Sequence, residues 1–273
     1  MLPFISIGSF SFASYGLMMV AGLFVGYYLL RADLRRRQLN INPLIVVSSI
    51  GLSGLIGSKL YLAIEHPAQL ISNPGFLLSR SGYTFYGAVF SGVVMVFVLA
   101  RVYRVSSLRL FDTVSAEAAI GYGIGRLGCL LAGDGDYGTP TTLPWGMSFP
   151  HGLVPTLAQV HPTPIYEFLA SALIAAYLWR LGARRYSSSV AAGEVFSRYL
   201  MLTGAARFLV EFIRLNPPTL WGLSNAQLVA LVSIIAGIVL HIVVRSRHRT
   251  MVFFPTAEVT TQGDMAWLKN SIQ

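Results

Sequence analysis

Seven runs of about twenty mostly apolar residues dominate this chain and constrain what it can fold into. They cover approximately residues 13–30, 44–64, 84–102, 111–131, 164–181, 195–213 and 226–244. A helix rises about 1.5 Å per residue, so each run is long enough to cross about 30 Å of hydrocarbon. Composition agrees: 54% of residues are apolar and 11% charged, and the mean hydropathy is +0.62. A chain of this kind cannot present an ordinary soluble surface. The pattern predicts an all-α polytopic membrane protein with seven transmembrane helices. No basic stretch precedes the first run and no cleavage site follows it, so it reads as a retained helix.

Basic residues resist translocation, so their placement orients the spans. Arg31, Arg35, Arg36 and Arg37 follow the first run, Arg101, Arg104 and Arg109 the third, Arg180, Arg184 and Arg185 the fifth, and Arg245, Arg247 and Arg249 the seventh. All four groups fall on one side only if the chain crosses seven times. This puts the N-terminus outside and the C-terminus in the cytoplasm. Residues 133–163, which contain no Lys or Arg, then form a small outer head region. The expected organisation is one membrane domain over 1–249 and a polar cytoplasmic tail over 250–273. The net charge of +9 is absorbed by the orienting loops, which argues against nucleic acid as a partner. A single cysteine excludes an intrachain disulfide or a CxxC site.

An ionisable group at the centre of a bilayer costs about 2.5–3.5 kcal/mol on insertion scales, so each one asks for an explanation. Lys59 and Arg198 can snorkel to opposite surfaces, and Glu117 reads as a structural partner for a neighbouring helix. In RFLVEFIR, the spacings of four and three put Arg207, Glu211 and Arg214 on one helical face. The plain reading is one intrahelical ion pair beside an interfacial arginine. The sharper reading has Arg207 and Arg214 face an anionic group while Glu211 holds a guanidinium in place. Arginine suits phosphate because its planar fork donates two parallel hydrogen bonds and keeps its charge. Arg126 lies at a similar depth among Gly121, Gly123, Gly125 and Gly128, where missing side chains let a helix or ligand approach closely. A phosphate-bearing lipid is the economical common partner of the three arginines.

Five ordered blocks carry a resemblance that spans most of the chain: SYGLMM, GRLGCLLAGDGDYG, TPTTLPWG, HPTPIYE and RFLVEFIR. Together they resemble the bacterial prolipoprotein diacylglyceryl transferases. The resemblance implies a multi-pass enzyme of the bacterial cytoplasmic (inner) membrane, acting in the first step of lipoprotein maturation. It would move the diacylglyceryl group of phosphatidylglycerol to the lipobox cysteine thiol of a preprolipoprotein signal peptide, releasing glycerol phosphate. It further implies essential arginines at Arg126 and Arg207, a first-helix tyrosine at Tyr15, acidic partners at Glu167 and Glu211, and a signature glycine at Gly138. The chain departs from the common pattern at several places, among them Pro164 of HPTPIYE, where glutamine is usual. Phe85-Tyr86-Gly87-Ala88 replaces Phe-His-Gly-Gly, removing a histidine often proposed as base. Cys129 and Ala132 stand where asparagines are usual, and Gly133-Asp134 is followed by one extra residue before Tyr137-Gly138.

The chemistry assigns expectations to these residues. Negative charge grows on the departing phosphate, so Arg126 and Arg207, with Arg214 assisting, are expected to stabilise it and to bind the lipid with Tyr15, Gly138 and Glu167. A thiol of pKa about 8.5 is already a few per cent thiolate at neutral pH, so losing the histidine is survivable. Ionising Tyr86 at pH 7 would cost about 4 kcal/mol, so its expected part is to orient a lipid oxygen or donate a hydrogen bond. Asp134, then Asp136, then Glu211 are the candidate proton acceptors, with a glycine-rich turn as the plain alternative for the aspartates. No cofactor is called for, and His151 and His161 lack metal-site spacing. Cys129 reads as a small buried residue. Two other classes stay open: a non-catalytic lipid-binding relative acting as a membrane scaffold, and a small-solute transporter.

Overall fold

The computed structural model describes residues 2–8, 10–78, 83–183 and 191–253. Arg184, Arg185 and the part of the expected tail from 254 onward lie outside the described residues. The chain is mostly helical. Seven long helices answer to the seven apolar runs: α1 (Ser14–Arg36), α2 (Pro43–Glu65), α4 (Phe85–Val102), α5 (Ser107–Ala132), α6 (Thr163–Ala183), α7 (Glu194–Glu211) and α8 (Asn225–Phe253), with a short α3 (Pro67–Ser72) and a 3₁₀ turn at Pro74–Leu78 between α2 and α4. Four helices are long and apolar enough to cross a membrane: Ser14–Arg36, Pro43–Glu65, Phe85–Val102 and Asn225–Arg247. The others carry charged residues away from their ends or near the head, among them Glu117 and Arg126 in α5, Glu167 in α6, and Arg198 and Arg207 in α7.

The expectation of a purely α-helical chain is corrected at two places. An antiparallel hairpin of β1 (Phe4–Ile7) and β2 (Phe10–Ala13) leads into α1, and β3 (Met147–Phe149) pairs with β4 (Thr156–Val160) in the segment between α5 and α6. Strands of three to five residues are too short to show a period of two beside long apolar runs. The second hairpin builds a small head. Tyr137, Phe149 and Val160 form its core, and the Leu153 and Val154 amides donate to the Ala132 and Gly133 carbonyls at the end of α5.

Helix pairs close on small residues, as expected where lipid supplies little drive for helix association. A Cβ on Gly57 or Gly87 would strike backbone across α2 and α4; Gly204 faces the Ala230 carbonyl and Gly237 the Ser197 carbonyl across α7 and α8. Helix α5 is the central element, packed against α1, α6 and α7. Its Asp112 reaches across to accept from the Gly193 and Phe196 amides, both at 2.8 Å, satisfying donors at the start of α7 that no local side chain caps. Near the same end, Arg36 stacks 4.0 Å from the Trp179 ring and Arg37 donates to the Asp112 carbonyl. The basic ends of α1 and α6 therefore meet beside the starts of α5 and α7. Arg126 lies about 21 Å further along α5, toward the head. Outward faces carry exposed Phe24, Leu173, Leu209 and Val232, an apolar perimeter suited to lipid. Glu117 differs from its expected pairing: both of its buried carboxylate oxygens lack a hydrogen-bond partner among the described residues.

Candidate functional site

At the head end of the helices, three arginines converge on one carboxylate. Glu167, the fifth residue of α6, accepts from the Tyr122 hydroxyl at 2.6 Å, from Arg126 Nη2 at 3.1 Å and from Arg207 Nη1 at 2.8 Å on Oε1. Its Oε2 takes Arg126 Nε at 2.9 Å and Arg214 Nη1 at 3.3 Å. Helical spacing explains part of this convergence. Tyr122 and Arg126 are four residues apart on α5, so the phenol and the guanidinium meet on one face, with Arg126 Nε donating to the Tyr122 oxygen at 3.1 Å. On α7, Arg207 and Glu211 pair at 2.9 Å across one turn, the intrahelical ion pair that their spacing predicts.

Arg214 arrives by a different route from the one expected. Helix α7 ends at Glu211, and Arg214 stands in the turn beyond it, so the three residues do not share a continuous helix face. Its backbone forms an isolated antiparallel bridge with Gly138, and the Thr139 amide donates to the Ile213 carbonyl at 2.8 Å. This places the guanidinium back in the cluster, 3.6 Å from Glu211 and bonded to Glu167. Gly138 makes the approach possible. A Cβ there would strike the Ile213 carbonyl oxygen and lie 2.9 Å from Thr163 Cγ2 and 3.0 Å from His161 Cβ.

The loop after α5 supplies a third acid. Gly133 closes the helix in the left-handed region at φ +59°, and Gly135, at φ +93°, turns the chain again. Asp136 follows, one carboxylate oxygen paired with Arg126 and the other with Arg214. Its backbone carbonyl accepts from Thr163 Oγ1 and from Arg214 Nη1. Burial works against the charged form of Asp136, but the Arg126 and Arg214 guanidiniums outweigh it and hold its pKa below the ordinary carboxylate value. Glu211 is fixed by Asn216 Nδ2 at 2.6 Å and Ser224 Oγ at 2.8 Å as well as by Arg207.

Three guanidiniums thus meet three carboxylates, Asp136, Glu167 and Glu211, in formal balance. Buried charges are tolerable when paired this densely. The sequence expectation is that Arg207 and Arg214 face an anionic group with Glu211 holding a guanidinium in place; the three arginines do share one site, with Glu211 paired to Arg207, and each is already engaged by the chain's own acids. Arg207 is the most exposed of the three.

Asp134 stands apart. Among the described residues no ion pair joins it to a guanidinium; it accepts from the Asp136 amide at 3.3 Å and bonds the Cys129 thiol. Burial raises its pKa above the ordinary carboxylate value. Cys129 Sγ and the two aspartates lie within 4.8 Å of one another and could together hold a cation. The Arg126 guanidinium contacts both Cys129 Sγ and Asp136, so the place of the metal charge is already taken by a cation. Cys129 is buried, as its size suggested.

Tyr15, on α1, packs across Gly128, two residues from Arg126 on α5, with its ring carbon 3.1 Å from where a Cβ would stand. Tyr86 is 39% exposed near the start of α4, and no described hydrogen bond ties it to the arginine cluster; its neighbour Phe85 meets the Tyr122 ring edge-on at 6.1 Å. Sequence reasoning missed Tyr122, whose place four residues before Arg126 was the available signal. It also missed Asn216 and Ser224, which no sequence spacing connects to Glu211.

The sequence model of the prolipoprotein diacylglyceryl transferase family matches residues 3–243. Relatives named phosphatidylglycerol–prolipoprotein diacylglyceryl transferase include that of Clostridium tetani, 32% identical over 82% of this chain and 90% of its own length. Another, from Geobacter sulfurreducens, is 30% identical over 89% of this chain and 95% of its own. A third, from Bordetella avium, is 30% identical over 85% and 90% respectively.

Proposed function

Since the chain belongs to the prolipoprotein diacylglyceryl transferase family, we propose that it transfers the diacylglyceryl group of phosphatidylglycerol to the lipobox cysteine thiol of preprolipoproteins. The single observation that carries this reading is the convergence of Arg126, Arg207 and Arg214 on Glu167. The acceptor sulfur attacks the glyceryl carbon that bears the phosphate ester. The carbon–oxygen bond breaks, its electron pair goes to the phosphate oxygen, and glycerol phosphate departs with the added charge. Guanidiniums fixed beforehand by carboxylates stabilise that charge without having to reorganise as it forms. Arg126 and Arg207 carry this role and Arg214 assists, with Tyr15 and Gly138 shaping the headgroup site.

Asp134 is our candidate acceptor for the thiol proton. It is free of guanidinium pairing among the described residues, and its raised pKa makes it a better proton acceptor than Asp136, whose pKa the arginines depress. Glu211 anchors Arg207. Tyr86, outside the cluster, orients lipid. The chain is a multi-pass membrane protein, and we place it in the bacterial cytoplasmic membrane with seven crossings. The meeting of basic ends at α1 and α6, far along α5 from the arginine cluster, supports a cytoplasmic basic face and an outer active site.

The test uses purified protein in phosphatidylglycerol vesicles with a synthetic lipobox peptide. The peptide should gain the mass of one diacylglyceryl group, Arg126→Ala and Arg207→Ala should each abolish the gain while the protein stays inserted, and Tyr86→Phe should slow it only partly. Lipid binding by the wild type with no mass gain would refute the transferase reading.

A further inference from the structure

The charge count at the cluster poses a problem for any lipid phosphate that enters it. Three guanidiniums are matched by Asp136, Glu167 and Glu211. A phosphodiester brings one more negative charge, and in a partly buried site the departure of one of these anions as it binds keeps the charges balanced. The three acids are unequal candidates. Glu167 and Glu211 sit on helices with side chains 4% and 1% exposed, and each has further neutral partners: Tyr122 for Glu167, Asn216 and Ser224 for Glu211. The Asp136 side chain is 28% exposed, lies on a loop just after the left-handed Gly135, and has only the guanidiniums of Arg126 and Arg214 as described partners. Its two oxygens bridge those two guanidiniums, one to each, the arrangement that the two non-bridging oxygens of a phosphodiester would make.

Resting on the transferase reading above, we propose that Asp136 is a built-in stand-in for the lipid phosphate, bridging Arg126 and Arg214 until phosphatidylglycerol displaces it. The exchange swaps one singly charged, two-oxygen anion for another, so the cluster stays balanced before and after binding. Each arginine keeps Glu167 throughout and has its second anionic partner, Asp136 or phosphate, before and after binding. Asp136's backbone carbonyl, which holds Thr163 and Arg214, keeps the loop in place while the side chain swings toward water. Asp136 lies in the stretch between Asp134 and Tyr137 where this chain carries one residue more than the usual signature, so the device belongs to this chain's variant loop.

An internal competitor lowers apparent affinity by the fraction of molecules in which it has stepped aside. Asp136→Asn keeps the shape and the backbone contacts but removes the competing charge, and should tighten binding of glycerol phosphate by about tenfold if the open fraction is about a tenth. Binding is read by calorimetry on the full chain in phosphatidylcholine nanodiscs. Asp136→Glu, which restores a carboxylate, should return affinity toward that of the wild type. If Asp136 instead serves to orient the arginines, Asp136→Asn will weaken or leave unchanged the binding, and the proposal falls. A second measurement needs no variant: with ¹³C-labelled aspartate, the infrared difference spectrum of the wild type on adding glycerol phosphate should show a carboxylate leaving an arginine pair, and a silent spectrum overturns the exchange. Transfer to the lipobox peptide is followed in parallel. Exchange without transfer removes the transferase reading and keeps the stand-in; transfer without tighter binding in Asp136→Asn does the reverse.

Discussion

Replacing Glu167 with glutamine removes one charge at the point where five donor contacts meet: Tyr122 Oη at 2.6 Å, Arg126 Nη2 at 3.1 Å and Nε at 2.9 Å, Arg207 Nη1 at 2.8 Å and Arg214 Nη1 at 3.3 Å. The amide has the same volume, but one oxygen becomes an NH₂. Placed at Oε1, that NH₂ confronts Tyr122, Arg126 and Arg207; placed at Oε2, it confronts Arg126 and Arg214. In either orientation at least two donors face a donor. Breaking a buried pair by removing one partner costs about 3–5 kcal/mol, because the remaining charges stay buried. Part of that cost appears as lost stability and part as arginines that no longer point where phosphate charge develops. Misplacing a single preorganised donor lowers kcat by about 10²–10³-fold. The variant should therefore transfer diacylglyceryl at least about 10²-fold more slowly at saturating phosphatidylglycerol. Its KM should stay level or fall, since a net positive charge remains to attract the headgroup. Initial rates of peptide mass gain across a lipid titration separate the two, with circular dichroism confirming retained helix content. If Glu167→Gln keeps kcat within about threefold of the wild type, or loses activity only through KM, Glu167 does not position the arginines for the transition state.

Two further outcomes follow from the loop and its neighbours. Gly138→Ala puts a methyl against the Ile213 carbonyl and against Thr163 and His161, so the bridge that delivers Arg214 must shift; overpacking costs about 1–3 kcal/mol, and transfer should fall at least about fivefold in the same peptide assay. For Asp134, a raised folded pKa means that the folded protein binds more protons than the unfolded chain above the ordinary carboxylate value of 3.8. Stability should fall as pH climbs from that value through Asp134's own raised one. Asp134→Asn should flatten that part of the profile in unfolding experiments run from about pH 4 upward.

The elements that sequence could reveal and those it could not are separated by chain distance. Apolar runs of about twenty residues located all seven long helices. A charge in an apolar run marked Arg126, Glu167, Arg207 and Glu211 as residues needing an explanation, and the i,i+4 rule correctly paired Arg207 with Glu211. The same rule applied across RFLVEFIR put Arg214 on a helix that stops three residues earlier, because spacing alone does not show where a helix ends when Pro217 and Pro218 follow only shortly after. What brings Arg214 back is its bridge to Gly138, a pairing across 76 positions that no local pattern encodes. Asp136 is the clearest case. In the sequence it is one of two aspartates in a glycine-rich turn, ranked by its access to water, and only the fold turns it toward two arginines from different segments.

One consequence connects the fold to the chemistry. Among the long helices, those that fall short of a simple apolar span, α5, α6 and α7, are also the ones that supply Arg126, Glu167, Arg207 and Glu211. Charges that weaken a helix as a lone membrane segment become tolerable once three such helices pool them, because each guanidinium then meets a carboxylate in place of hydrocarbon. The apolar helices α1, α2, α4 and α8 make up the rest of the bundle and supply much of its exposed apolar surface. The cluster therefore acts as both the mutual solvation of α5, α6 and α7 and the catalytic field. For that reason a substitution such as Glu167→Gln must be read by kcat and KM together with folding, since a loss of helix packing alone would lower the amount of active protein without changing the kcat of the molecules that remain folded.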